Sequence, residues 1–167
     1  MIMICTEDTR DFPVIAEINR QAFGGESEAR LVEKLRASGA VIYSMVAKEE
    51  GHVLGHILLS PVTIEGSTLK GIGLGPLAVL KAHRRKGIGS LLVKAGLSVS
   101  RDEGYQFAVV TGNPQYYSRF GFEKASNFGL KSEFPGPDEV FMARALQPGA
   151  LAGVSGVVHY LPEFKEV

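Results

Sequence analysis

An apolar run, Leu77-Ala78-Val79-Leu80, passes through Lys81-Ala82-His83-Arg84-Arg85-Lys86-Gly87-Ile88-Gly89-Ser90 into a new apolar pattern that begins at Leu91-Leu92. A strand has to stop here and a helix has to start, with a basic, glycine-spaced turn between them. The N-terminus of a helix leaves backbone N–H groups without intrahelical partners and carries roughly half a positive charge, so phosphate oxygens gain hydrogen bonds and Coulomb energy there. Gly87 and Gly89 keep side chains away from those amides, while Arg84, Arg85 and Lys86 raise the local potential. The spacing is neither G-x-x-x-x-G-K-[ST] nor G-x-G-x-x-G, which sets aside the Walker and dinucleotide loops.

With 167 residues, 45% of them hydrophobic and 22% charged, the chain can bury one substantial core, and a single domain over residues 1–167 is expected. The 18 basic and 18 acidic side chains cancel, so the basic turn is a local patch and nucleic acid is not an expected partner. No apolar stretch reaches the roughly 18–20 residues that span a bilayer. Glu7 and Asp8 stand near the start in place of a basic leader, and a cytoplasmic protein with no membrane partner is the expectation. Cys5 has no second cysteine to pair with and reads as a small core residue of the first strand. His52, His56, His83 and His159 lack tight ligand spacing, so no metal is expected.

Along the chain, Ile2–Thr6 reads as a strand, and Phe12, Ile15, Ile18 and Ala22 recur on one helical face that Gly24-Gly25 ends. Ser27 is placed to cap a second helix carrying Leu31, Val32 and Leu35. Residues 41–47 and 53–64 form a hairpin about the polar turn 48–51, and residues 69–80 a third strand. Gly71, Gly73, Gly75 and Pro76 weaken that strand, so a bulge or an opening is expected instead of a regular interior strand. Ile88, Leu91, Leu92, Ala95 and Val99 follow the stripe of a helix lying on a sheet. A short buried strand at 107–110, a brief helix opened by Pro114, strands at 122–125 and 140–146 and one more element within 151–160 complete a mixed sheet.

Two segments carry chemistry. Arg84-x-x-Gly87-x-Gly89 resembles the R/Q-x-x-G-x-G/A acyl-CoA pyrophosphate motif of the GNAT N-acetyltransferases. Further on, Asn113-Pro114-Gln115-Tyr116-Tyr117-Ser118-Arg119-Phe120-Gly121-Phe122 sets two adjacent tyrosines about 100° apart on a short helix, so one can pack while the other turns toward the strand ends. Tyr116 reads as aromatic packing. Tyr117 stands four residues before Gly121-Phe122, the Y-x-x-x-G-F spacing with which GNAT proteins place a phenol near the thioester sulfur. Gly55-His56-Ile57, residues 74–79, Phe141-Met142-Ala143 and residues 156–160 are similar to the YhbS-like group of bacterial GNAT proteins, so the resemblance covers nearly the whole chain. Asn113 departs from the aspartate that many relatives carry before this proline.

The resemblance implies an α+β fold of the acyl-CoA N-acyltransferase type, with a central, mixed and mostly antiparallel sheet flanked by helices. It implies transfer of the acetyl group of acetyl-CoA to a primary amine by direct attack in a ternary complex, CoA being the product. The alternative is an inactive acyl-CoA-binding sensor or partner protein. In the active reading the backbone of Leu77, Ala78 and Val79 pairs with the pantetheine amides, and an N–H near Leu77 meets the charge developing on the thioester oxygen. Arg84, Arg85, Lys86, Gly87, Ile88, Gly89 and Ser90 hold the pyrophosphate. Asn113 contacts the pantetheine arm or a water beside it, and Tyr117 is the general acid toward sulfur.

The attacking amine needs a base or desolvation, since an alkyl ammonium has a pKa near 10.4. Glu28 and His56 are the candidates, each with an ordinary alternative as a capping charge or a satisfied sheet histidine. The acceptor is a small molecule or a protein amine, and exposed apolar strands are compatible with a homodimer.

Overall fold

Ile2–Thr6 forms β1, with Met3 exposed and Ile2, Ile4 and Cys5 half-buried, the profile of an edge strand. Cys5 is therefore not the core residue expected of it; it lies opposite Val46 on a strand with one open side. The computed structural model describes Met1–Val167, and the chain gathers into two compact units. One comprises Met1–Leu59, Gly75–Gly96 and Pro162–Val167; the other comprises Ser60–Leu74 and Leu97–Leu161.

In the first unit, Phe12–Phe23 forms α1, opened by a proline in its first turn and closed by Gly24 at φ 73°. Ser27–Ala37 forms α2. Ser27 is its first helical residue and not its cap; Glu26 occupies the capping position and makes no side-chain cap bond. Tyr43–Glu49 (β2) pairs antiparallel with β1 and with His52–Ile64 (β3), whose His52 faces Glu49. Glu50 and Gly51, both at positive φ, fill the two-residue turn, the geometry that matches the twist of a hairpin.

Gly71–Val79 forms β4, a continuous strand despite its glycines and proline, and Ile88–Asp102 forms α3. The buried side of α3 differs from the apolar stripe expected: Ile88, Leu92, Val93, Gly96, Leu97 and Ser100 are buried, whereas Leu91 is 41% exposed. The cause is Gly96, where an added Cβ would stand 3.0 Å from Leu59 Cδ1 and Cδ2. A glycine that admits a close neighbour sets the contact face, which apolar periodicity alone does not register.

In the second unit, Phe107–Thr111 (β5) runs parallel to β4 over Gly71–Leu74 and antiparallel to Phe141–Ala145 (β8). Pro114–Tyr117 forms the single-turn α4. Glu123–Lys124 (β6) pairs with β8 and is shorter than the strand expected over 122–125, because Phe122 turns inward and Ala125 already opens a 3-10 turn. Leu130–Ser132 (β7), absent from the sequence reading, runs parallel to Gly156–His159 (β9), which in turn pairs antiparallel with Thr63 and Ile64 of β3. The pairing as a whole is mixed and mostly antiparallel. Val62, Ile64, Phe107, Val109, Leu130, Phe141 and Val158 form the core of this unit.

The glycines of β4 serve packing. An added Cβ on Gly71 would fall 2.2 Å from Phe107 Cζ, and one on Gly73 would fall 2.9 Å from Tyr160 Cε2. Gly71→Ala should therefore cost about 1–3 kcal/mol, the range for overpacking a filled core. A urea midpoint unchanged at constant m-value would contradict this.

Candidate active site

The loop after β4 is built within the first unit. Leu80 N donates to Leu54 O at 2.9 Å, a 3-10 turn covers Lys81–His83, and Arg84 Nε reaches back to Val79 O at 3.3 Å. Arg85 at φ 64° and Gly87 at φ 80° both adopt left-handed backbone, and α3 begins at the next residue. Leu91 N donates to Gly87 O at 3.1 Å, closing the first turn; the amides of Ile88, Gly89 and Ser90 precede any i−4 carbonyl inside the helix. Nothing lies within 4 Å of the position a Gly87 Cβ would take. Arg84, Arg85 and Lys86 are exposed.

The helix start is held close to the sheet by Gly55: an added Cβ there would stand 3.0 Å from Ile88 Cγ2, 3.1 Å from Leu92 Cδ1 and 3.2 Å from Ala78 O. Gly55 thus lets Ala78 and Ile88 approach one another, and Arg84 joins the loop to Val79. Past Leu74, β4 runs beyond its β5 ladder, so the backbone of Leu77, Ala78 and Val79 lies outside that pairing.

In the second unit, Asn113 Oδ1 accepts from Gln115 N at 2.9 Å and caps α4. Tyr117 N donates to Asn113 O at 3.1 Å. The Tyr117 ring lies on Gly112, where a Cβ would be 2.5 Å from Cε2, and edge-on to Phe122 with centroids 6.0 Å apart. Burial, reinforced by Tyr116, pushes the Tyr117 phenol up to about 12, which keeps it protonated at neutral pH. Tyr116 packs as expected, edge-on to Phe120 at 5.3 Å and with the Arg119 guanidinium 4.7 Å from its ring.

Thr111, at the end of β5 beside Gly112, also lines a cavity of about 310 Å³ with Leu130, Lys131, Phe134, Asp138 and Phe141 among its walls. These residues escaped the sequence reading. The run Phe134-Pro135-Gly136-Pro137-Asp138 is the one sequence signal for a rigid loop there.

The two base candidates stand in different settings. Glu28 sits in the first turn of α2, where an acid suits the helix dipole. His56 is fully buried and occupied on both ring nitrogens. Asn19 Nδ2 donates to Ile15 O at 3.0 Å and faces His56 Nδ1 at 3.3 Å, while His56 Nε2 lies 2.8 Å from Ser44 Oγ. Ser44 Oγ donates to Glu7 Oε1 at 2.6 Å, and Arg36 clamps Glu7 with bonds of 2.8 and 2.7 Å. With the serine proton directed to Glu7, Nε2 carries the imidazole hydrogen and Nδ1 accepts: a satisfied neutral histidine.

Burial holds His56 down, to about 4, against the opposing pull of Glu7. The unfolded chain binds a proton at this histidine near pH 6.5 and the folded chain does not until about 4, so stability falls as pH drops through that window. The loss should approach roughly 3 kcal/mol. Burial raises the Glu7 carboxyl, but its bonds to Arg36 and Ser44 outweigh that and leave it lowered, which adds to the acid loss. Melts recorded from pH 7 to 4 should show it; a flat midpoint would remove the assignment.

The profile of the Acetyltransferase (GNAT) family matches residues 6–122. The chain is 38% identical over 164 residues to an Escherichia coli (strain K12) protein described as the uncharacterized N-acetyltransferase YhbS, covering 98% of each. The crystal structure of YhbS from Escherichia coli in complex with CoA superposes with a TM-score of 0.93 at 37% identity, covering 98% of this chain and 92% of that one. A GNAT family acetyltransferase from Brucella melitensis in complex with acetyl-CoA matches at a TM-score of 0.82 and 34% identity, covering 98% of both chains. On fold, motif order and full-length similarity together, this chain belongs to the GNAT acetyltransferase family.

Proposed function

We propose that the chain, acting as one domain over residues 1–167, moves the acetyl group of acetyl-CoA to a primary amine of an acceptor bound at the same time. The observation that carries this reading is the backbone of β4 beyond its β5 ladder leading into a loop with left-handed Gly87 at the start of α3, in a chain whose relatives were crystallised with CoA and acetyl-CoA. The open space over Gly87 and the exposed cations of Arg84, Arg85 and Lys86 fit a pyrophosphate. The setting we propose is the cytoplasm; no helix is long and apolar enough to cross a membrane.

Acetyl-CoA supplies an activated acyl group. The amides of Arg85, Lys86, Gly87, Ile88, Gly89 and Ser90 bind its pyrophosphate, and Arg84, tied to Val79 O, shapes the turn and adds positive potential. Leu77, Ala78 and Val79 pair through their backbone with the pantetheine amides, as in strand addition. Leu77 N–H donates to the thioester oxygen as charge gathers on it. Tyr117 donates its hydroxyl hydrogen toward the sulfur that leaves, and Asn113, which caps α4 through Oδ1, contacts the pantetheine arm or a water beside it through Nδ2.

Calorimetric titration with acetyl-CoA, and separately with ATP and NAD, tests the reading. Selective binding of acetyl-CoA is expected; equal or preferred binding of the other two nucleotides would overturn it.

A further inference from the structure

Resting on the acetyl-transfer reading above, we propose that the cavity at the end of β5 seats the acceptor, and that the acceptor is a small amino-carboxylate with an apolar body, of amino-acid size. The cavity encloses about 310 Å³, the space of about ten water molecules in the liquid and the lower end of small-ligand sites. Leu130, Phe134, Pro135, Pro137, Val140 and Phe141 make most of its wall apolar, which suits a hydrocarbon or aromatic body.

The wall is braced before any ligand arrives. Phe134 packs against Tyr160, the rings tilted by 45° with centroids 5.7 Å apart. Tyr160 shares a side-chain hydrogen bond with Thr111, and its N–H donates to Glu133 Oε1 at 2.8 Å. His159 in turn bridges Glu133 Oε2 at 2.9 Å and Glu65 Oε2 at 3.1 Å. A rigid wall spends little binding energy on ordering itself.

Two opposite charges mark the ends of the ligand. Asp138 stands three residues before Phe141, the strand partner of Thr111, and its Oδ2 accepts from Ser126 Oγ at 2.9 Å, leaving Oδ1 for an ammonium. Lys131 lies on the β7 wall, exposed and outside every ion pair of the chain, and suits a carboxylate. The same lysine repels a polyamine or a basic peptide. Thr111 adjoins Gly112, on which the Tyr117 ring rests, so the cavity and the phenol belong to the same end of β5.

The test uses the full chain with L-phenylalanine, phenethylamine, spermidine and a lysine-containing peptide as probes. Transfer is read as thiol release from acetyl-CoA, and binding by calorimetry. L-phenylalanine should exceed the other three by about tenfold in kcat/KM, the worth of one charge-assisted hydrogen bond. Lys131→Glu should lower L-phenylalanine by about tenfold, removing its margin over phenethylamine, while the affinity for acetyl-CoA holds. Preference for spermidine or the peptide, an unchanged margin over phenethylamine in Lys131→Glu, or no binding of L-phenylalanine to a protein that binds acetyl-CoA would each overturn the proposal. Failure of acetyl-CoA to bind would instead remove the acetyl-transfer reading; L-phenylalanine binding lost in Lys131→Glu would then still support the cavity as an amino-carboxylate site.

Discussion

Gly87→Glu should reduce the affinity for acetyl-CoA by at least about a hundredfold, because two separate costs fall on one position. The first is conformational: at φ 80° a residue with a Cβ is strained by about 1–3 kcal/mol, unless the turn relaxes and takes the amides of Ile88 and Gly89 with it. The second is electrostatic, since a carboxylate at the head of α3 faces the same partial charge as the pyrophosphate and competes for it. Gly87→Ala isolates the first cost and should lose only about five- to tenfold, because nothing within 4 Å opposes the added methyl. Titration of both variants beside the parent decides the matter. A glutamate variant that binds as tightly as the parent would place the pyrophosphate elsewhere, and an alanine variant as weak as the glutamate would make backbone strain the whole effect.

Much of this architecture is legible in the sequence because it rests on local rules. The hairpin about Glu50-Gly51, the proline that opens α4 and the glycine that closes α1 follow from backbone preferences of single residues. What escaped depends on contacts between residues distant in sequence. The buried face of α3 is set by Gly96 against Leu59, and Gly71 of β4 makes room for Phe107, whereas the opening expected of that strand does lie past Leu74. Strand β7 is three residues long and exists through its pairing with β9, so no periodicity announces it. The site divides in the same way. The loop of Arg84 to Ser90 reads as a motif, but the cavity joins Thr111 to Lys131 and Asp138, which no spacing relates. His56 could be weighed only by its surroundings: one histidine in a strand is a base or a core residue according to whether Asn19 and Ser44 meet its ring.

Tyr117→Phe should lower kcat by about a hundredfold, near the upper worth of a hydrogen bond to a charged group, and leave the affinity for acetyl-CoA within about twofold. The ring itself is well supported, resting on Gly112 and edge-on to Tyr116 at 5.0 Å and to Phe122 at 6.0 Å, so phenylalanine keeps the packing and loses only the hydroxyl. With the phenol pushed up to about 12, complete proton transfer to a thiolate of ordinary pKa near 8.5 would be uphill by about 5 kcal/mol. The hydroxyl therefore acts chiefly by hydrogen bonding to the charge that gathers on sulfur, which is favourable without the proton changing hands. Two consequences separate this from a packing role. The parent enzyme should show no basic limb from Tyr117 below about pH 11, since the phenol stays protonated throughout. The variant should lose turnover with slow and fast amines alike, because the missing bond is to the leaving group and not to the acceptor. Equal losses of kcat and acetyl-CoA affinity would make Tyr117 a packing residue, and binding of acetyl-CoA with no turnover in the parent across many amines would make this chain an acyl-CoA-binding protein that holds its ligand without using it.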